Sequence, residues 1–63
     1  MSKLTSFLEM QIVDYKNTID YCNRKIMAET DKRKRKEYEE VIAHAEMSIE
    51  LNKANLAKLE KLS

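Results

Sequence analysis

Few side chains in this sequence have the chemistry to act on another molecule. There is one cysteine, Cys22, one histidine, His44, and a run of five basic residues, Lys32, Arg33, Lys34, Arg35 and Lys36, with the acidic Glu37, Glu39 and Glu40 close behind. His44 has Glu40 four residues before it and Ser48 four after. The carboxylate-bridged metal motif of helical bundles places its Glu three residues before the His, so this spacing does not match it. Phosphate-binding loops need glycine, and the chain has none. No Ser/His/Asp or Cys/His arrangement is readable. The sequence therefore yields no catalytic, cofactor-binding or metal-binding residue, and an enzyme is not expected.

The basic run is the one strong local signal, and it has two readings. Five adjacent cations can contact phosphates, an anionic lipid surface or an acidic partner, and a short Lys/Arg run also resembles a nuclear-localisation patch. The alternative is a solvated turn whose charges keep the ends of the molecule apart. Base-stacking aromatics interleaved with the cations would favour nucleic acid; only Tyr38 is near. The whole chain holds 12 basic and 11 acidic residues for a formal charge of +1, which is not the balance of a generally basic nucleic-acid-binding surface. Lys32 to Lys36 are candidate anion contacts.

These residues must be positioned by helices. Gly and Pro are absent while Leu, Ile, Ala, Met, Glu and Lys are abundant, a composition that favours helix almost throughout. Leu8, Ile12, Tyr15, Ile19, Cys22 and Ile26 alternate at spacings of four and three, as do Tyr38, Ile42, Ala45, Ile49, Asn52, Leu56 and Leu59. That alternation marks the a and d positions of a helical seam. The two frames are out of step by two residues between Ile26 and Ile42, so one continuous coiled coil would carry a slip. A reversal is simpler. In an antiparallel hairpin the residue numbers of facing pairs add to a constant, and one constant sets Ile26 against Tyr38, Cys22 against Ile42, Ile19 against Ala45, Tyr15 against Ile49, Ile12 against Asn52, Leu8 against Leu56 and Thr5 against Leu59. Each pair is an a residue on a d residue.

The sequence thus predicts an all-α fold: an antiparallel, coiled-coil-like two-helix hairpin forming a single domain over residues 1–63. Helix 1 is expected over about 3–29, a turn over about 30–34 and helix 2 over about 34–62. Thr30 or Asp31 can cap the second helix, and Glu29 is expected to pair with Arg35 where the seam meets water. At the N-terminus, Leu4 would extend the seam, while Ser6 and Glu9 have capping-box spacing and Ser2 offers an earlier start. Cys22, inward at a d site, is expected to behave as a small buried hydrophobe. Asn52 is a polar residue in the seam, to be satisfied by a symmetry mate or by solvent at a splayed end.

A chain of 63 residues is marginal on its own. Small domains generally depend on disulfides, a metal, oligomerisation or unusually regular helix packing, and one cysteine excludes an intrachain disulfide. Self-association is the remaining expectation, as a dimeric four-helix bundle or a higher homo-oligomer. At roughly 100° per residue, Phe7, Met10 and Tyr21 lie opposite the helix 1 seam with Val13 at one edge, and Met47, Leu51 and Leu62 lie off the helix 2 seam. Phe7, Met10, Val13, Tyr21, Met47 and Leu51 are the candidate interface residues, toward another copy or another protein. No run of about 18 apolar residues and no secretory signal pattern is present, so a cytoplasmic protein with no membrane association is expected. The expected function is a small regulatory or inhibitory protein-binding module. The alternatives are a nucleic-acid binder using the Lys32–Lys36 tip and a structural subunit of a larger coiled assembly.

Overall fold

The computed structural model describes residues 3–62. They form two α-helices, α1 (Lys3–Ala28) and α2 (Lys32–Leu62), with no strand among the described residues. The molecule measures 49 × 14 × 11 Å. A 31-residue helix rises about 46 Å, so the long dimension is one helix and the two lie side by side as a hairpin.

The contact follows the predicted stripe. Leu8 and Cys22 of α1 and Ala45, Ile49 and Asn52 of α2 are buried. Thr5, Ile12, Tyr15, Ile19, Ile26, Tyr38, Ile42, Leu56 and Leu59 are half-buried. Among the described residues outside the stripe, Glu29 at its tip and Gln11 and Ser48, which border it, are half-buried, and the rest are exposed. Contacts between the helices fit the a-on-d register: Leu4 and Leu8 share a groove with Asn55 and Leu59, and Lys16 and Ile19 share another with Glu46 and Ile49. Leu4 itself is half exposed and flanks the seam instead of extending it. The reason is angular: one residue before Thr5, it is turned about 100° off the line of contact.

The reversal occupies Glu29 to Asp31, shorter and earlier than the expected 30–34, and α2 begins at Lys32 instead of about 34. Asp31 sets that boundary. Its Oδ1 accepts from the Arg33 N–H at 2.9 Å, and its carbonyl accepts the first bond of the helical ladder from the Arg35 N–H at 3.0 Å, the geometry of an N-cap. The Glu29 N–H donates to the Ile26 carbonyl at 3.3 Å, tightening the end of α1, and the Glu29 carboxylate accepts from the Asp31 N–H at 3.2 Å. Glu29 therefore orders the turn and does not form the expected pair with Arg35. No described residue has a positive φ, which is how a three-residue reversal manages without glycine. At the other end α1 already includes Lys3, so Ser6 is helical and not a cap; Ser2 lies outside the described residues.

Asn52 resolves differently from either expectation. It is buried, and its Nδ2 donates to Gln11 Oε1 at 3.0 Å and toward the Leu8 carbonyl at 3.5 Å. Its partner is in its own chain, neither a symmetry mate nor solvent. Gln11 borders the seam, and its long side chain reaches across.

Two measurements check these assignments. Ile49→Ala should lower unfolding free energy by about 2 to 4 kcal/mol in urea titrations, because a side chain is deleted from the core. Gln11→Ala should cost about 0.5 to 1.5 kcal/mol with Asn52 present but little in an Asn52→Leu background; equal costs in both backgrounds would dismiss the bond.

Candidate interaction surface

Phe7, Met10, Val13, Tyr21, Met47 and Leu51 are each more than half exposed, as the helical spacing requires once the seam is closed. Leu4, Met27, Val41 and Leu62 add to the exposed apolar set. Met27 and Val41 escaped the sequence reading because isolated apolar residues off a seam carry no periodic signal. Only the register shows which of them share a side.

The hairpin has two broad sides and two outer ridges. The groove lined by Leu4, Leu8, Asn55, Lys58 and Leu59 opens on one broad side, and the groove lined by Lys16, Ile19, Glu46, Ile49, Glu50 and Lys53 opens on the other. Extending each along the heptad frame sorts the remaining residues. With Leu4, Asn55 and Lys58 lie Phe7, Gln11, Asp14, Thr18 and Tyr21 of α1 and Val41, His44, Ser48 and Leu51 of α2; the fixed charges through that stretch are Asp14 and Lys58. The opposite side carries Glu9, Lys16, Glu46, Glu50 and Lys53 over the same length. One side is weakly charged and apolar, the other densely charged.

Met10 and Val13 belong to the outer ridge of α1, where they line a shallow groove with Ser6, Glu9 and Asp14. Met47 is on the outer ridge of α2. Thioether side chains suit adaptable contacts because they are unbranched and polarisable. The six candidate residues therefore divide: Phe7, Tyr21 and Leu51 belong to the weakly charged side, Met10, Val13 and Met47 to the ridges.

The Lys32–Lys36 run stands in the first turns of α2, radiating around the helix because consecutive residues are about 100° apart. Lys32, Arg35 and Lys36 line a shallow groove with Glu39. Among the described residues none of the five forms an ion pair, whereas Arg24 pairs with Asp20 at 3.1 Å and Lys53 with Glu50 at 3.9 Å. Positive charge here opposes the helix dipole, and the cap carboxylate of Asp31 offsets part of that. Lys25, on α1 near this end, places its Nζ 5.3 Å from the centroid of the Tyr21 ring.

Cys22 is buried and unpaired in the seam, as a small hydrophobe would be, and His44 is exposed. Among the described residues no group of three or more His, Cys, Asp or Glu is arranged to hold a metal ion, and no helix is long and apolar enough to cross a membrane. Comparison with known proteins finds no matching family model, no matching curated protein and no matching solved structure. The class that the fold defines is a two-helix hairpin.

Changing Lys34, Arg35 and Lys36 together to Gln should shift stability by less than about 1 kcal/mol, since no ion pair is lost and a conflict with the helix dipole is relieved. In gel shifts with generic oligonucleotides, the unaltered chain should bind weakly at about 50 mM salt and lose binding near physiological ionic strength.

Proposed function

We propose that this chain is a small protein-interaction module: a helical hairpin that associates with its own kind and regulates or inhibits another protein by docking through apolar helix faces. The observation that carries this reading is the imbalance between buried and exposed apolar surface. Among the described residues four apolar side chains are buried, Leu8, Cys22, Ala45 and Ile49, while ten large ones are at least 44% exposed. Exposed apolar surface gathered on one side, as with Phe7, Tyr21, Val41 and Leu51, is the kind that interaction sites use. Association buries it and supplies the interior that two helices lack. A dimeric four-helix bundle is the simplest closed form, and it leaves the ridge methionines available for a second partner.

A second reading, binding of nucleic acid or another polyanion by the tip, draws on the unpaired Lys32–Lys36 run. Salt separates the two. Phosphate contacts weaken steeply as salt rises, whereas an apolar docking face hardly responds.

Light scattering on a size-exclusion column at tens of micromolar should return at least twice the chain mass of 7.5 kDa. A strict monomer would remove self-association from the proposal. Nucleic-acid binding that survives physiological salt would favour the tip as the functional surface.

A further inference from the structure

We propose that the weakly charged side of the hairpin is the seat of a second copy, laid antiparallel so that the basic tips point to opposite ends and each helix packs on its own counterpart. This rests on the self-association argued above and specifies its surface and geometry. Two hairpins stacked face to face with closed two-fold symmetry have their axis in the interface, directed either along the helices or across them. Charge decides between these.

An axis along the helices brings both Lys32–Lys36 runs to one end, on diagonally opposed helices roughly 11 to 14 Å apart for a helix spacing of about 8 to 10 Å. That exceeds the screening length of about 8 Å at physiological salt, so the repulsion between the two runs is attenuated but persists. Glu39, which lines a groove with Lys32, Arg35 and Lys36, and the carboxylates of Asp31 and Glu29 offset part of this charge within each copy. An axis across the helices moves the tips apart by most of the 49 Å length, where screening removes the repulsion.

Full overlap of the two copies puts the axis at mid-hairpin, level with Lys16 and Ser48. In that register Lys58 of one copy is level with Glu37 of the other, so opposite charges meet twice. Lys25, already over the Tyr21 ring, comes level with Phe7 of the second copy and meets a second aromatic face. Asp14, one heptad from both Phe7 and Tyr21, is the charge this contact has to accommodate; it is level with Thr18 of the second copy and also borders the ridge groove with Met10 and Val13, which opens to water. The small side chains Thr18 and Ser48 stand near the axis and permit close approach, with Leu51 beside them. A side of 49 by 14 Å gives a footprint of roughly 700 Å² per copy, or about 1,400 Å² in all, within the range of about 1,200 to 2,000 Å² typical of specific interfaces. The opposite side, lined with Glu9, Lys16, Glu46, Glu50 and Lys53, would have to desolvate those charges to serve.

The test uses single cysteines in a Cys22→Ser background. Ser48→Cys should give a disulfide-linked dimer under mild oxidation, since the axis brings the two positions together and closure needs α-carbons within about 7 Å; Glu46→Cys on the charged side should not. Spin labels on Arg33→Cys should report a tip-to-tip separation near the length of the hairpin, and charge reversal at Lys58→Glu should weaken the dimer several-fold, with Glu37→Lys added in the same chain restoring it. A dimer that crosslinks at position 46 but not 48, or whose tips lie within about 20 Å, overturns this geometry and leaves self-association standing. A monomer by light scattering overturns both.

Discussion

Two helices laid side by side can bury only the stripe along which they touch, and that constraint governs the rest of this molecule. Each helix contributes one a or d residue per half heptad to the contact. The inner stripe closes, with Cys22 and Ala45 almost wholly sheltered, but every other helical surface faces outward. A four-helix arrangement would give each helix a second neighbour. Phe7, Tyr21 and Leu51 lie on the surface that the single stripe leaves exposed.

Within the hairpin, polar groups hold the ends and the register. Asp31 stops the chain from continuing as one helix and starts α2 at Lys32 by taking up a free backbone N–H. The consequence is that the basic run stands on a helix and not in a loop, its cations directed outward on all sides of the first turns. Asn52 has a comparable role in the seam. A buried amide costs stability unless it is hydrogen-bonded, and Gln11 is in reach only in the observed register. A slip of the helices by one heptad would put Thr18 or Leu4 in the place of Gln11 and lose this bond, so the pair favours the observed alignment.

Charge is distributed with the same asymmetry as apolar surface. Dense, mixed charge on one broad side keeps that side in water, since exposed pairs such as Lys53 with Glu50 contribute little stability and lose it if desolvated singly. The weakly charged side carries no such barrier. Burying it costs the hydration of few ionic groups, and the apolar area removed from water favours contact at about 25 cal/mol per Å².

The helices, their antiparallel pairing and the identity of nearly every inward residue were legible in the sequence alone, because a four-three spacing records a helix's line of contact directly and the a-on-d match of two such records leaves one register. Cys22 inside and His44 outside followed from the same frame. Other features were decided by the tertiary structure. The turn fell at Glu29–Asp31 because capping depends on which of two adjacent oxygens reaches a backbone N–H, a matter of local geometry that residue types do not distinguish. Glu29 turned to the Asp31 N–H and away from Arg35 for the same reason. Gln11 emerged as the partner of Asn52 only when the helices were in contact, since the two are 41 residues apart in the chain. The sorting of exposed residues into a charged side and a weakly charged side likewise needed both helices in place: each side is assembled from one flank of α1 and one flank of α2, and only the pairing sets the two weakly charged flanks on a common side.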